Sequence, residues 1–153
     1  YADHPVFPLN KTIFNINSDG AGYSDTEAVS ILGYGRMSAD EQLDAGASAY
    51  KLKIYGNPAP EQGLFDRSDN VSLAAKGIPA LTFSPGFDSF NRDINRYYHQ
   101  VSDNPETIDM DYLRVFSQSF TYTSRLIADR AEAPIWNEGD KYEEAGKALY
   151  GEE

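Results

Sequence analysis

The sequence predicts an α/β domain with a mostly parallel sheet and flanking helices. Three observations predict it. Short runs rich in β-branched and aromatic residues recur along the chain. Stretches with helical spacing or helix-start signals lie between them. Gly and Pro mark the junctions. Strands that alternate with helices bury their apolar faces by forming one sheet covered by helices.

Lys11–Asn17 (KTIFNIN) reads as the first strand and stops at Ser18–Gly22 (SDGAG), where two glycines relax the backbone. Ala28–Gly33 (AVSILG) is the second strand. Ser38–Glu41 (SADE) has the Ser-x-x-Glu form of a capping box and predicts a helix to about Tyr50. Leu52–Tyr55 is a third strand, and Asn57–Pro60 is a loop. Ser68 or Asp69 can cap a short helix over Val71–Lys76, closed by Gly77. Pro79–Phe83 is the fourth strand, ending at Ser84–Gly86. A polar loop is expected from Phe87 to about Glu106. Asp109 or Asp111 caps the next helix, which runs to about Ala131 with Leu113, Phe116, Phe120 and Ile127 as its apolar stripe. Residues 132–153 form a tail: Ala133–Asp140 is a loop anchored by Trp136, and a last helix covers Tyr142 to Leu149.

Composition narrows the function. The 153 residues are 41% hydrophobic and 13% aromatic, enough to bury a core, so wholesale disorder is excluded. A net charge of −11 repels phosphate backbones and anionic lipid, which argues against nucleic-acid and membrane-surface roles. No apolar run is long enough to span a bilayer. The absence of Cys removes disulfides, thiolate zinc sites and Cys nucleophiles. Only two His are present, His4 and His99, which limits any metal site built from this chain alone. The opening residues, Tyr1 to Pro5, are neither an initiator Met nor a signal peptide.

In parallel sheets ligands sit beyond the carboxyl ends of the strands. Asp19 and the Pro85–His99 loop both follow predicted strands, so both reach that edge. A carboxylate at Asp19 suits a metal ligand or an acid, or else a turn residue that satisfies backbone N–H groups. His99, flanked by Tyr97 and Tyr98 in a long loop, suits a metal ligand or acid–base group, or else a hydrogen-bonded surface His. His4 reads as surface. Arg67 reaches a substrate carboxylate or carbonyl, or else stays solvated at a helix start. Glu143, Glu144, Glu152 and Glu153 read as solvated. Asn10 and Asn70 match the weak glycosylation pattern. No GxSxG, HExxH, P-loop or GxGxxG is present, and one Asp with one His leaves a metal sphere unfilled.

Five segments in order carry a resemblance. They are Asn15–Gly22 (NINSDGAG), Pro60–Asn70 (PEQGLFDRSDN), Lys76–Leu81 (KGIPAL), Tyr98–Asp103 (YHQVSD), and the tail pieces Ala133–Asp140 and Ala148–Gly151. Together they resemble the C-terminal half of an M28-type zinc exopeptidase of the aminopeptidase Y and aminopeptidase S group. The resemblance implies a three-layer, phosphorylase/hydrolase-like sandwich of which residues 1–153 are the C-terminal part. It makes Asp19 and His99 ligands, one for each metal of a two-zinc site. Tyr98 hydrogen-bonds the tetrahedral intermediate, Arg67 lines the substrate pocket, and Asp69 holds its loop. Asn70 stands where the motif more commonly has His. The family's first His, bridging Asp, general-base Glu and adjacent Glu precede the Asn-x-Asp strand, so no general base is expected in this chain. Tyr1–Pro5 resembles the end of the helix that follows the Glu-Glu segment.

The implied function is removal of N-terminal residues from peptides by a metal-activated water, with this chain alone inactive. Alternatives are a non-catalytic module that binds peptides or a partner, and a related zinc carboxypeptidase or glutaminyl cyclase. A half-domain with unpartnered sheet and core predicts self-association or a complementing N-terminal half. Family habit implies a secreted, periplasmic or cell-envelope protein.

Overall fold

A computed structural model describes residues 1–19 and 23–151. Among the described residues, four strands form one sheet: β1 (Asn15–Asn17), β2 (Ala28–Leu32), β3 (Lys53–Gly56) and β4 (Ala80–Pro85). Every residue of β2 and β4 is buried, as expected of central strands covered on both faces. The strand order is β1-β4-β2-β3. β1 pairs parallel with β4, and β2 parallel with β3. The fold is therefore α/β with a mostly parallel sheet, but the central β2–β4 pairing is antiparallel. Residues read one strand at a time carry no signal of that direction, because it depends on which edges meet. The parallel β1–β4 pairing brings the carboxyl ends of β1 and β4 out at one edge of the sheet, and the antiparallel β2–β4 pairing sends those of β2 and β3 the other way.

Five helices flank the sheet among the described residues: α1 (Asp40–Ser48), α2 (Val71–Ala74), α3 (Arg92–Tyr97), α4 (Met110–Ala128) and α5 (Glu143–Tyr150). Successive strand residues face opposite sides. Phe83 of β4 turns toward α4, its ring 5.6 Å from Phe116 and 5.8 Å from Phe120. Burying such a ring stabilises the fold by about 1.5–3 kcal/mol. Thr82, its neighbour, turns the other way, and its hydroxyl donates to Asn70 at the start of α2 over 2.8 Å. Helices thus cover both faces.

Several elements depart from the sequence expectation, each for a physical reason. β1 is shorter than Lys11–Asn17, because Leu9–Lys11 closes a 3-10 turn after Pro8. The capping box at α1 does not form. Ser38 Oγ instead accepts from the Ile135 N–H of the tail at 3.0 Å, and no side chain caps the helix. Neither Ser68 nor Asp69 caps α2, since Asn70 holds the N-cap position. The expected loop from Phe87 to Glu106 contains α3, capped by Asn91 Oδ1, which accepts from the N–H groups of Asp93 and Ile94. Asp109 caps α4, accepting from Tyr112 N–H at 3.0 Å.

The buried stripe of α4 is Tyr112, Phe116, Ser119, Thr123 and Ile127, and Leu113 is 36% exposed. The stripe is rotated because α4 packs against α1 through small residues. Ser119 Oγ donates to the Gly46 carbonyl at 3.1 Å, and a Cβ on Gly46 would lie 1.9 Å from Thr123 Oγ1. Trp136 is buried as expected and donates its indole N–H to the Gly77 carbonyl at 2.9 Å.

Candidate functional site

The edge where β1 and β4 end carries a cleft of about 90 Å³. Asp19 and Ser84 reach it from the strand ends. Phe87, Phe90, Ile94 and Tyr98 form one wall from the segment after β4 and from α3, and Leu64 and Ser68 reach it from the turn before α2. Leu32 completes the apolar lining.

Asp19 lies two residues past β1. Its backbone is fixed by Ser84 Oγ, which donates to the Asp19 carbonyl at 2.8 Å, while its side chain is exposed. The glycines expected to loosen this turn, Gly20 and Gly22, lie outside the described residues. Farther back on β1, Asn17 Nδ2 donates to Thr82 Oγ1 at 3.1 Å, and Thr82 Oγ1 donates in turn to Asn70 Oδ1. Asn70 Nδ2 reaches the Phe65 carbonyl at 3.3 Å. This buried relay ties β1, β4 and the Leu64–Arg67 turn into one frame under the cleft. Asn70 has no exposed amide to offer for glycosylation.

Tyr98 closes α3, its N–H bonded to the Ile94 carbonyl at 2.9 Å. Its half-buried ring meets Phe90 edge-on, with centroids 5.1 Å apart. His99 follows with φ +56, in the left-handed region that residues with a Cβ seldom occupy. That conformation folds the imidazole back onto the Tyr98 ring, at 4.0 Å between centroids. The turn beyond is pinned by Gln100 N–H to Tyr97 O and by Asp103 N–H to Gln100 O. A strained, well-held backbone of this kind is a recurrent mark of functional sites.

Of the residues expected at the site, Asp19 and Tyr98 share the cleft, and His99 joins them by stacking on Tyr98. Arg67 does not line the cleft. Its guanidinium is exposed and donates to the Gln62 carbonyl at 3.3 Å, while its neighbour Ser68 takes the wall. Asp69 is exposed, as is His4. The residues that sequence reasoning missed are Ser84, Ser68 and the apolar wall of α3. Asn91 was the available signal for α3, a cap followed by an apolar Ile94.

Asp19 and His99 offer the carboxylate and imidazole donors that zinc takes. They are two, however, and tetrahedral zinc needs four ligands. Among the described residues no group of three or more His, Cys, Asp or Glu is assembled to hold a metal. The described residues therefore do not by themselves make a zinc centre.

Nearby electrostatics reinforce the frame. The Tyr112 hydroxyl donates to the Ala28 carbonyl and accepts from Gly86 N–H, both at 2.7 Å, and burial pushes its pKa well up. The Lys141 ammonium donates to Asp66 at 2.7 Å and holds that carboxyl below its ordinary range.

The family model of peptidase family M28 matches residues 1–124, a span that includes the whole sheet and every residue of the cleft. A search of curated proteins finds no match, and a search of solved structures finds none. The family match covers most of the chain, and the strand-end Asp and the Tyr-His pair stand at one sheet edge within it. The chain belongs to peptidase family M28, a family of zinc-type peptidases.

Proposed function

We propose that the chain is the C-terminal part of the catalytic domain of a zinc-dependent aminopeptidase, inactive when alone. The observation that carries this reading is the meeting of Asp19 and Tyr98 on one cleft, with His99 stacked on Tyr98, in a member of family M28. In the complete protein Asp19 and His99 each ligate one of two zincs, together with donors from outside this chain. The general base likewise comes from outside. No hydrolytic step is therefore assigned to a metal held by these residues alone.

The chain's own groups have definite tasks. The Tyr98 phenol is the hydrogen-bond donor for the oxygen of the tetrahedral intermediate, a role that needs a positioned donor at the cleft mouth. Phe90 packs edge-on against that ring, and the Tyr98 backbone is tied to the Ile94 carbonyl. Arg67 lies outside the cleft lining and engages a more distant part of a peptide substrate. The exposed Val6 and Phe7 (79% and 69% accessible) and, separately, the edge position of β1 support a complementing segment or second chain. Export from the cytoplasm follows the family resemblance; the described residues contain no helix long and apolar enough to cross a membrane.

The test combines metal content with hydrolysis. The isolated chain should bind zinc weakly and without whole-number stoichiometry. Tight binding of two zincs per chain would overturn the partial-domain reading. The full-length protein should release nitroaniline from leucine p-nitroanilide and not from its N-acetyl derivative. Absence of release from the free-amine substrate would overturn the aminopeptidase reading.

A further inference from the structure

The segment from Trp136 to Tyr142 lies beyond the residues matched by the family model, yet it grips a wall of the cleft. The grip is centred on Arg36. Its guanidinium makes a two-pronged contact with Asp140, Nε to Oδ2 at 2.7 Å and Nη2 to Oδ1 at 3.0 Å. The Asp140 side chain is 9% exposed and that of Arg36 25%, so the pair is partly shielded from solvent. The flat face of the same guanidinium lies 4.0 Å from the Phe65 ring centre, with Tyr142 and Trp136 at 5.4 and 5.6 Å. A cation held by a carboxylate and stacked among aromatic rings fixes both partners at once.

The contacts then pass to the cleft. Trp136 and Tyr142 pack against Phe65 directly. Lys141 Nζ and the Tyr142 hydroxyl both donate to Asp66 Oδ1, at 2.7 and 3.3 Å. Phe65 and Asp66 sit inside the turn Leu64–Arg67, and Leu64 and Ser68, on either side of them, are the cleft wall. The segment is itself anchored to the rest of the fold. Asn137 N–H bonds to the Arg36 carbonyl at 2.9 Å, and the Trp136 indole bonds to the Gly77 carbonyl.

We propose that Trp136–Tyr142 is a clasp that sets the position of the Leu64–Ser68 wall, with Arg36, Asp140 and Tyr142 as positioning residues for whatever apolar group enters the cleft. The proposal rests on the cleft being the peptide site. None of these residues touches the cleft itself, so their influence runs through Phe65 and Asp66. Loosening the clasp widens the cleft beside Leu64 without disturbing Asp19, Tyr98 or His99.

The test uses the full-length protein and two variants, Asp140→Asn and Tyr142→Phe. Asp140→Asn removes the charge of the two-pronged contact, and Tyr142→Phe removes only the hydroxyl on Asp66. Amide hydrogen exchange should rise at least fivefold within residues 63–70 in Asp140→Asn, and by a smaller factor in Tyr142→Phe, with β2 and β4 unchanged. In steady-state assays on aminoacyl nitroanilides, KM should rise several-fold while kcat stays within twofold. The rise should be greater for leucine than for alanine. Exchange that rises uniformly through the sheet, or not at all near residues 63–70, would overturn the clasp. So would equal changes in KM for leucine and alanine. If the wild-type protein hydrolyses no such substrate, the aminopeptidase reading fails, and the exchange pattern alone still decides the clasp. Should Asp140→Asn fail to fold, Tyr142→Phe with its ring intact carries the same readouts.

Discussion

The imidazole of His99 lies face to face with the phenol ring of Tyr98, centroids 4.0 Å apart and planes 15° apart. Neighbours in sequence stack this way only because His99 adopts φ +56. The strain and the stacking belong to one local arrangement beside the cleft.

That arrangement predicts a split between two variants. Asn tolerates the left-handed region and should replace His99 with little loss of stability. His99→Val places a β-branched residue there and should cost about 1–3 kcal/mol. Urea denaturation checks the difference. Both variants should lower the zinc content of the full-length protein, and unchanged zinc in both would remove His99 from the ligand set.

Asn70 is buried and bonded at both ends, to Thr82 and to Phe65. Asn70→Ala should destabilise the protein by about 1–3 kcal/mol for each polar partner left unsatisfied. Asn70→Asp adds a pH dependence of known sign. Burial raises the folded pKa of the new carboxyl above the unfolded value of about 3.9. Its penalty is absent below that value and grows as pH rises toward the folded pKa. Denaturation midpoints at acid and neutral pH would show the loss in Asn70→Asp and not in Asn70→Ala.

Tyr112 joins α4 to the strand ends through the Ala28 carbonyl and Gly86 N–H. Tyr112→Phe orphans both groups and should cost about 1–3 kcal/mol. In the wild type, burial raises the Tyr112 pKa. A phenol with a raised folded pKa leaves stability intact below the unfolded value of about 10, and stability falls as pH climbs above it. The alkaline fall should be shallower in Tyr112→Phe, measured by thermal unfolding across that range.

Gly46 lets α1 and α4 touch. A Cβ there would come within 3.1 Å of the Thr123 backbone Cα and far closer to its side chain. Helix propensity alone favours Ala over Gly by about 1 kcal/mol. Overpacking costs about 1–3 kcal/mol and should win, so Gly46→Ala lowers the unfolding midpoint. A raised midpoint would show that the two helices separate freely.

Much of the fold was legible residue by residue. The strands read at Ala28–Gly33 and Pro79–Phe83 match β2 and β4 to within two residues, and Asp109, one of the two expected caps, starts α4. Failures came where a residue serves a distant partner. Ser38 has the form of a cap, but its hydroxyl is taken by Ile135. Leu113 fits the apolar period, but the close approach at Gly46 turns it outward. At the site, Asp19 and His99 stood out by residue type and by their place after predicted strands, while a role for Tyr98 came only from the family resemblance. Ser84 and Ser68 did not, since a serine shows nothing until its neighbours in space are known.

Sequence alone determined the alternation of strands and helices, the segments that hold Asp19, Arg67, Tyr98 and His99, and the acidic charge. These follow from local periodicity, capping chemistry and composition. Tertiary structure alone decided the antiparallel β2–β4 pairing, the shared cleft of Asp19 and Tyr98, the displacement of Arg67 from its wall, and the Arg36–Asp140 contact across 104 residues of chain. Such features depend on which surfaces meet when apolar area is buried, and that is a property of the whole packed chain.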